Sequence, residues 1–216
     1  TEGIVLCSTN GPEATLIDGN FTDGDLTTNR CLVLSNAAAL VHGLTISNGG
    51  IYCSGDVNTD YGAGVLMYAG ILSNCHVLNH RLVKTVYGWN KGGFGAGIYA
   101  LAGTVTACRV ANNLVTNVPS NGDGTGAGIY AGSTFISDCV ISNNRVLGGG
   151  TSSGAGGLRL SGRSAKSCRI VDNTCEKGYG GGAIVQVSGV LDDCLVSGNF
   201  ALIGGGVNMI LGTITN

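Results

Sequence analysis

Short runs of alternating apolar and polar side chains return along this chain at intervals of 33, 31, 29 and 26 residues, each marked by a cysteine: Cys75, Cys108, Cys139, Cys168 and Cys194. Two residues after the cysteine stand Val77, Val110, Ile141, Ile170 and Val196, and three before it stand Leu72, Val105, Ile136, Ala165 and Leu191. Ten before it are Val65, Ile98, Ile129, Leu158 and Ile184; seven after it are Leu82, Val115, Val146, Cys175 and Ala201. The residue directly after the cysteine varies freely: His76, Arg109, Val140, Arg169, Leu195. Apolar, variable, apolar is the period-two signature of a half-buried strand. The step of three from Leu72 to Cys75 breaks the alternation and predicts a bend at a corner.

A glycine-rich turn precedes each cysteine. The turns are Gly62-Ala63-Gly64-Val65, Gly95-Ala96-Gly97-Ile98, Gly126-Ala127-Gly128-Ile129, Ala155-Gly156-Gly157-Leu158 and Gly181-Gly182-Ala183-Ile184, with the third residue eleven before the cysteine. A sixth, Gly204-Gly205-Gly206-Val207, starts the cycle again. A fixed turn-to-cysteine offset inside a variable interval predicts a stacked solenoid, because extra residues at one corner leave the strands in register. The extra residues fall at 84–93, 117–124, 148–153 and 176–180, which predicts loops projecting from one edge and shortening toward the C-terminus. Residues 14–19, 30–36 and 43–49 read as earlier, irregular coils, with Leu44 in the cysteine slot. The slot therefore asks for an apolar filler before it asks for a thiol. A second column lies five residues after the cysteine: His80, Asn113, Asn144, Asn173 and Asn199. Stacked asparagines at a corner can hydrogen-bond up the column and tolerate left-handed backbone angles.

Composition argues against helix. Glycine is 39 of 216 residues, well above the usual ~7%, and each glycine costs about 1 kcal/mol inside a helix. These residues resemble a right-handed parallel β-helix, and more narrowly the glycine-rich repeats of bacterial surface proteins. Gly181-Gly182-Ala183-Ile184 is similar to the repeat motif of polymorphic outer-membrane proteins, which are autotransporter adhesins; their companion F-x-x-N motif is not seen. The resemblance implies an exported, extracellular or cell-surface role. We expect one all-β domain over residues 1–216, with irregular coils over 1–50, repeats over 51–216 and about eight coils in all. At about 4.8 Å per coil the rod would be on the order of 40 Å long. The chain opens inside a coil and stops in mid-rung, which reads as a segment of a longer protein or as ends that meet neighbours.

A net charge of −2 with 11% charged residues provides no basic face for nucleic acid. No apolar run approaches the ~20 residues of a membrane span. Nine cysteines admit zinc, catalytic and structural readings. Zinc asks for clustered ligands, and a catalytic thiol asks for a histidine partner that His42, His76 and His80 do not supply. A buried thiol ladder remains, with neighbours close enough for either free thiols or disulfides; free thiols are the expectation, with no metal and no cofactor.

Candidate chemistry is sparse. Asp138 and Asp193 share a column two coils apart, near the spacing of an inverting glycosidase pair. Arg159, Arg163, Lys166 and Arg169 make a basic strip, and Asp123 sits in a loop lacking the further acids of a calcium loop. Tyr87, Trp89 and Lys91, in the longest loop, form the candidate contact set for a glycan or protein. The leading functional expectation is a non-enzymatic adhesin or structural stalk that meets a cell-surface protein or glycan. The alternatives are a polysaccharide lyase or hydrolase, and a subunit stacking end to end with copies of itself through open strand edges.

Overall fold

A computed structural model describes residues 3–22, 28–53, 60–84, 93–118, 126–148 and 154–216, and every regular element among them is a β-strand. The strands pair in parallel into three long sheets of thirteen, seven and six strands. The chain is a parallel β-solenoid. The expected count of about eight coils is not matched: seven strands stack in the second sheet and six in the third among the described residues.

The first sheet takes two short strands from most coils, such as Val65–Met67 and Ile71–Ser73, and one continuous strand from two coils, Ile98–Thr106 and Ile129–Ser137. Valine, isoleucine and leucine at inward positions pair with their counterparts in the next coil. Val77, Val110, Ile141, Ile170 and Val196 lie in exact sequence-column register. Their side chains fill a core between the first and second sheets. A smaller core under the third sheet holds Ile51, Leu82, Val115, Val146 and Cys175 against Ala63, Ala96 and Ala127 of the turns.

Each corner places one residue in left-handed backbone. Before the cysteine it is Asn74, Ala107, Asp138, Ser167 and Asp193, which accounts for the step of three. Between the second and third sheets it is Asn79, Asn112, Asn143, Asp172 and Gly198. The left-handed residue thus precedes the buried asparagine, rather than being that asparagine as the sequence suggested. Asparagine and aspartate tolerate this region because their short polar side chains bond locally.

Two further sequence expectations are corrected. Ile184 is not in the inward column. Leu158 pairs with Ala183, and Arg159 pairs with Ile184. The fifth turn is therefore Gly180-Gly181-Gly182-Ala183, with Gly180 left-handed like Gly95 and Gly126. The extra residue sits downstream, in the tight turn where the Gly189 N–H bonds the Gln186 carbonyl. The projected loops also begin and end elsewhere. Lys84 closes the strand Arg81–Lys84 with its side chain fully buried, and 176–179 belong to the strand Thr174–Tyr179. Residues 85–92, 119–125 and 149–153 lie outside the described residues.

Candidate functional site

The structure stacks the cysteine column Cys75, Cys108, Cys139, Cys168 and Cys194 coil on coil, with no disulfide between its members. Where the chain turns from the first sheet to the second, the cysteine N–H leaves the sheet ladder. The sulfur of the next coil receives it: Cys75 N–H bonds Cys108 Sγ at 3.5 Å, and Cys108 N–H bonds Cys139 Sγ at 3.4 Å. Each thiol in turn donates to the carbonyl two residues back, at 3.1–3.3 Å from Cys75 to Cys194. These contacts split the column: the hydrogen bond with Cys108 draws Cys75 down to about 7. Cys168 is pushed up to about 12 by its hydrogen bond with Cys139 and by burial. Leu44 occupies the cysteine slot one coil earlier, since His76 N–H bonds its carbonyl as Arg109 N–H bonds that of Cys75.

The asparagine column is bonded more tightly. Asn113 N–H and Nδ2 both donate to Asn144 Oδ1, at 3.0 and 2.9 Å. Asn144 does the same to Asn173 (3.0 and 2.9 Å), and Asn173 to Asn199 (2.8 and 3.0 Å). The second Nδ2 proton goes to the carbonyls of Val77, Val110, Ile141 and Ile170 in the preceding coil. Glycine opposes each amide. A Cβ on Gly128 would lie 2.8 Å from Asn144 Nδ2 and 2.6 Å from the Gly157 carbonyl.

His80 occupies the asparagine slot and keeps its backbone bond to the next coil and one acceptance and one donation to the coil before. Its N–H donates to Asn113 Oδ1 at 3.0 Å, Nδ1 receives the Gly49 N–H at 2.9 Å, and Nε2 meets the Ile46 carbonyl at 2.9 Å. Only the neutral ring protonated on Nε2 satisfies both ring contacts. Burial holds its pKa down to about 4.

Outside, the same corner carries a polar groove. Two hollows of about 240 and 340 Å³ adjoin at Asn112 and Leu114. Phe21, Asn48, Asn79 and Arg81 line the first, Asn143 and Arg145 the second. Arg81, Leu114 and Arg145 share one column of the third sheet. The left-handed asparagines aim their amides outward, so Asn79, Asn112 and Asn143 are exposed while Asn113 and Asn144 behind them are buried. This outer column, four residues after each cysteine, was legible as Asn79, Asn112, Asn143 and Asp172.

The remaining candidates separate. Of the basic strip, Arg159 is held by Gln186 Oε1 (3.1 and 2.9 Å) beneath the Tyr130 ring, Arg163 lies over Phe135, and Lys166 pairs with Asp192 at 3.0 Å. Arg169 is around the corner on the second sheet. Asp138 and Asp193 occupy the left-handed corner, with Ser167 Oγ on Asp193 at 3.2 Å. Tyr87, Trp89, Lys91 and Asp123 lie outside the described residues. An aromatic stack that the sequence reading missed joins Tyr61, Tyr99 and Tyr130, with centroids 4.5 and 4.8 Å apart. Its signal was the tyrosine directly after Ile98 and Ile129.

These features define a class: a parallel β-solenoid closed inside by two side-chain ladders and grooved outside along one corner. Comparisons with protein-family models, with curated proteins and with solved structures found no match.

Proposed function

We propose that this chain is a non-enzymatic extracellular or cell-surface protein, adhesin-like, whose rigid rod presents a binding face to a cell-surface glycan or protein. The observation that carries the reading is the pairing of ladder and surface column at one corner. Buried Asn113, Asn144 and Asn173 fasten successive coils, and the residues just before them, Asn112, Asn143 and Asp172, stand outward at the same repeat. A side chain bonded rung to rung fixes the spacing of its exposed neighbours, and preorganised polar groups are what a recognition surface requires. The resemblance of the turn cadence to that of surface adhesins supports the location. Low charge supports a neutral or mixed partner over nucleic acid.

The test is retention of the whole chain on cell-surface extracts and a panel of polysaccharides, with the products analysed. Saturable retention without new reducing ends or unsaturated sugars is the expected result. Chain cleavage that disappears in Asp193→Asn would replace this reading with the polysaccharide-active enzyme.

A further inference from the structure

We propose that the interior cysteine column holds a binding site for a soft divalent metal ion that takes two thiolates in line, seated between Cys75 and Cys108 of adjacent coils. This goes beyond the surface role and does not depend on it. His76 pairs with Arg109, so the cysteines just before them face each other across one coil step. Each sulfur makes the same contact, donating to the carbonyl two residues back at 3.2 Å, Cys75 to Ser73 and Cys108 to Thr106. The two side chains therefore share one orientation, and their sulfurs are set one coil apart. Adjacent parallel strands lie about 4.8 Å apart, and two metal–thiolate bonds of ~2.3 Å laid end to end cover about 4.6 Å. An ion midway between the sulfurs meets both without moving either coil. Leu44 holds the slot before Cys75 and supplies no ligand, so Cys75 has one neighbour in the column, Cys108.

The surroundings decide which ion. Thiolates select soft ions over calcium or magnesium, which ask for oxygen. Zinc asks for four ligands, and among the described residues no group of three or more histidine, cysteine or acidic side chains is placed to hold an ion. An ion satisfied by two ligands remains. Both cysteines are sealed, 0% and 2% exposed, in a core with Leu72, Val77, Val105 and Val110, where an uncompensated charge is costly. Two thiolates and one divalent ion sum to zero, whereas a univalent ion leaves a buried anion. The soft divalent ion that accepts two ligands in line is mercuric ion. On binding, both S–H bonds break, two metal–sulfur bonds form and two protons leave to solvent, with no change of oxidation state. The Cys75 N–H stays on Cys108 Sγ, 3.5 Å away, and a hydrogen bond to an ionised acceptor is stronger than one to a neutral thiol. Cys75 is the thiol of the column that is drawn down, while burial and their neighbours push the other four up, so its proton leaves first.

The probe is mercuric chloride, added as the whole chain refolds from urea with a small monothiol in excess, followed by gel filtration and metal analysis. The refolded rod is expected to keep the ion against the monothiol, and the same chain held in urea to lose it. X-ray absorption of the loaded wild-type chain is expected to show two sulfurs at one distance. Zinc chloride in its place is expected to pass through unbound. The variant Cys139→Val, Cys168→Val, Cys194→Val leaves Cys75 and Cys108 as the only thiols of the column, and it is expected to keep one ion. Adding Cys108→Val is expected to remove that ion, and Leu44 in the cysteine slot shows that the column accepts an aliphatic side chain. Equal retention by folded and urea-unfolded chain, or retention unchanged by adding Cys108→Val, overturns the site. Three or four sulfurs around the ion in the wild-type chain, or equal retention of zinc, overturns it too, whether or not the valine variants fold.

Discussion

At the corner between the first and second sheets, backbone N–H groups reach a sulfur at 3.4–3.5 Å. At the corner between the second and third, they reach an amide oxygen at 2.8–3.0 Å. Both columns answer the same need, since a turning chain loses a ladder partner and a buried N–H without one is costly. They differ in what else the side chain does. Asparagine accepts twice from the coil before it and donates twice, once to the next coil and once to a carbonyl behind. Cysteine contributes one weak acceptance, one weak donation and apolar bulk. That difference explains why Leu44 can hold a cysteine slot, whereas the one departure among the five aligned coils from asparagine, His80, still accepts a backbone N–H of the coil before it and donates to a carbonyl there.

The comparison is most directly broken at Asn144. Asn144→Ala leaves Asn113 N–H and the Val110 carbonyl without their partners inside the rod, and should cost about 4 kcal/mol, read as a lower urea midpoint with unchanged slope. A loss no larger than that of a cysteine variant would erase the distinction between the corners.

His80 sharpens it through pH. The folded ring titrates near 4 against 6.5 in its ordinary state. The unfolded chain therefore binds the extra proton between those values. Stability is complete above about pH 6.5 and falls by roughly 3 kcal/mol as pH drops toward 4. The loss should concentrate where His80 joins the Gly49 coil, and His80→Asn should remove it. Chemical denaturation at neutral and acid pH, repeated on that variant, decides the matter; a pH response unchanged by His80→Asn assigns it to other groups.

Gly128→Ala tests the space that the asparagine column demands. The new methyl meets backbone on one side and an amide on the other, for a loss of about 2 kcal/mol in the thermal midpoint. Cys139→Val should be the mildest of the four. It keeps the volume and gives up one long N–H···S contact, for about 1 kcal/mol. A loss as large as that of Asn144→Ala would show that the two columns hold the rod equally.

The strand columns were legible because an inward residue every second position, at a constant offset from a cysteine, leaves little freedom in a stacked fold. The column from Leu72 to Leu191 and that from Val77 to Val196 pair residue for residue. The slip at Ile184 was not legible. A single residue was added in the turn 186–189, and glycine on both sides of Gly181 makes either frame look alike. Only pairing with Leu158 settles it.

The groove was legible residue by residue but not as a surface. Asn112 and Arg145 are far apart in sequence, and a solenoid brings them together only by stacking one coil on the next. The sequence alone therefore determined the repeat, the parallel all-β class and the identity of both interior columns, because those follow from local periodicity. The tertiary structure decided that the left-handed residue is the one before the buried asparagine, that His80 stands in the asparagine column with ring hydrogen bonds of its own, and where outward groups converge. Each of these depends on a partner about one coil distant, and no local pattern encodes a hydrogen bond made across that interval.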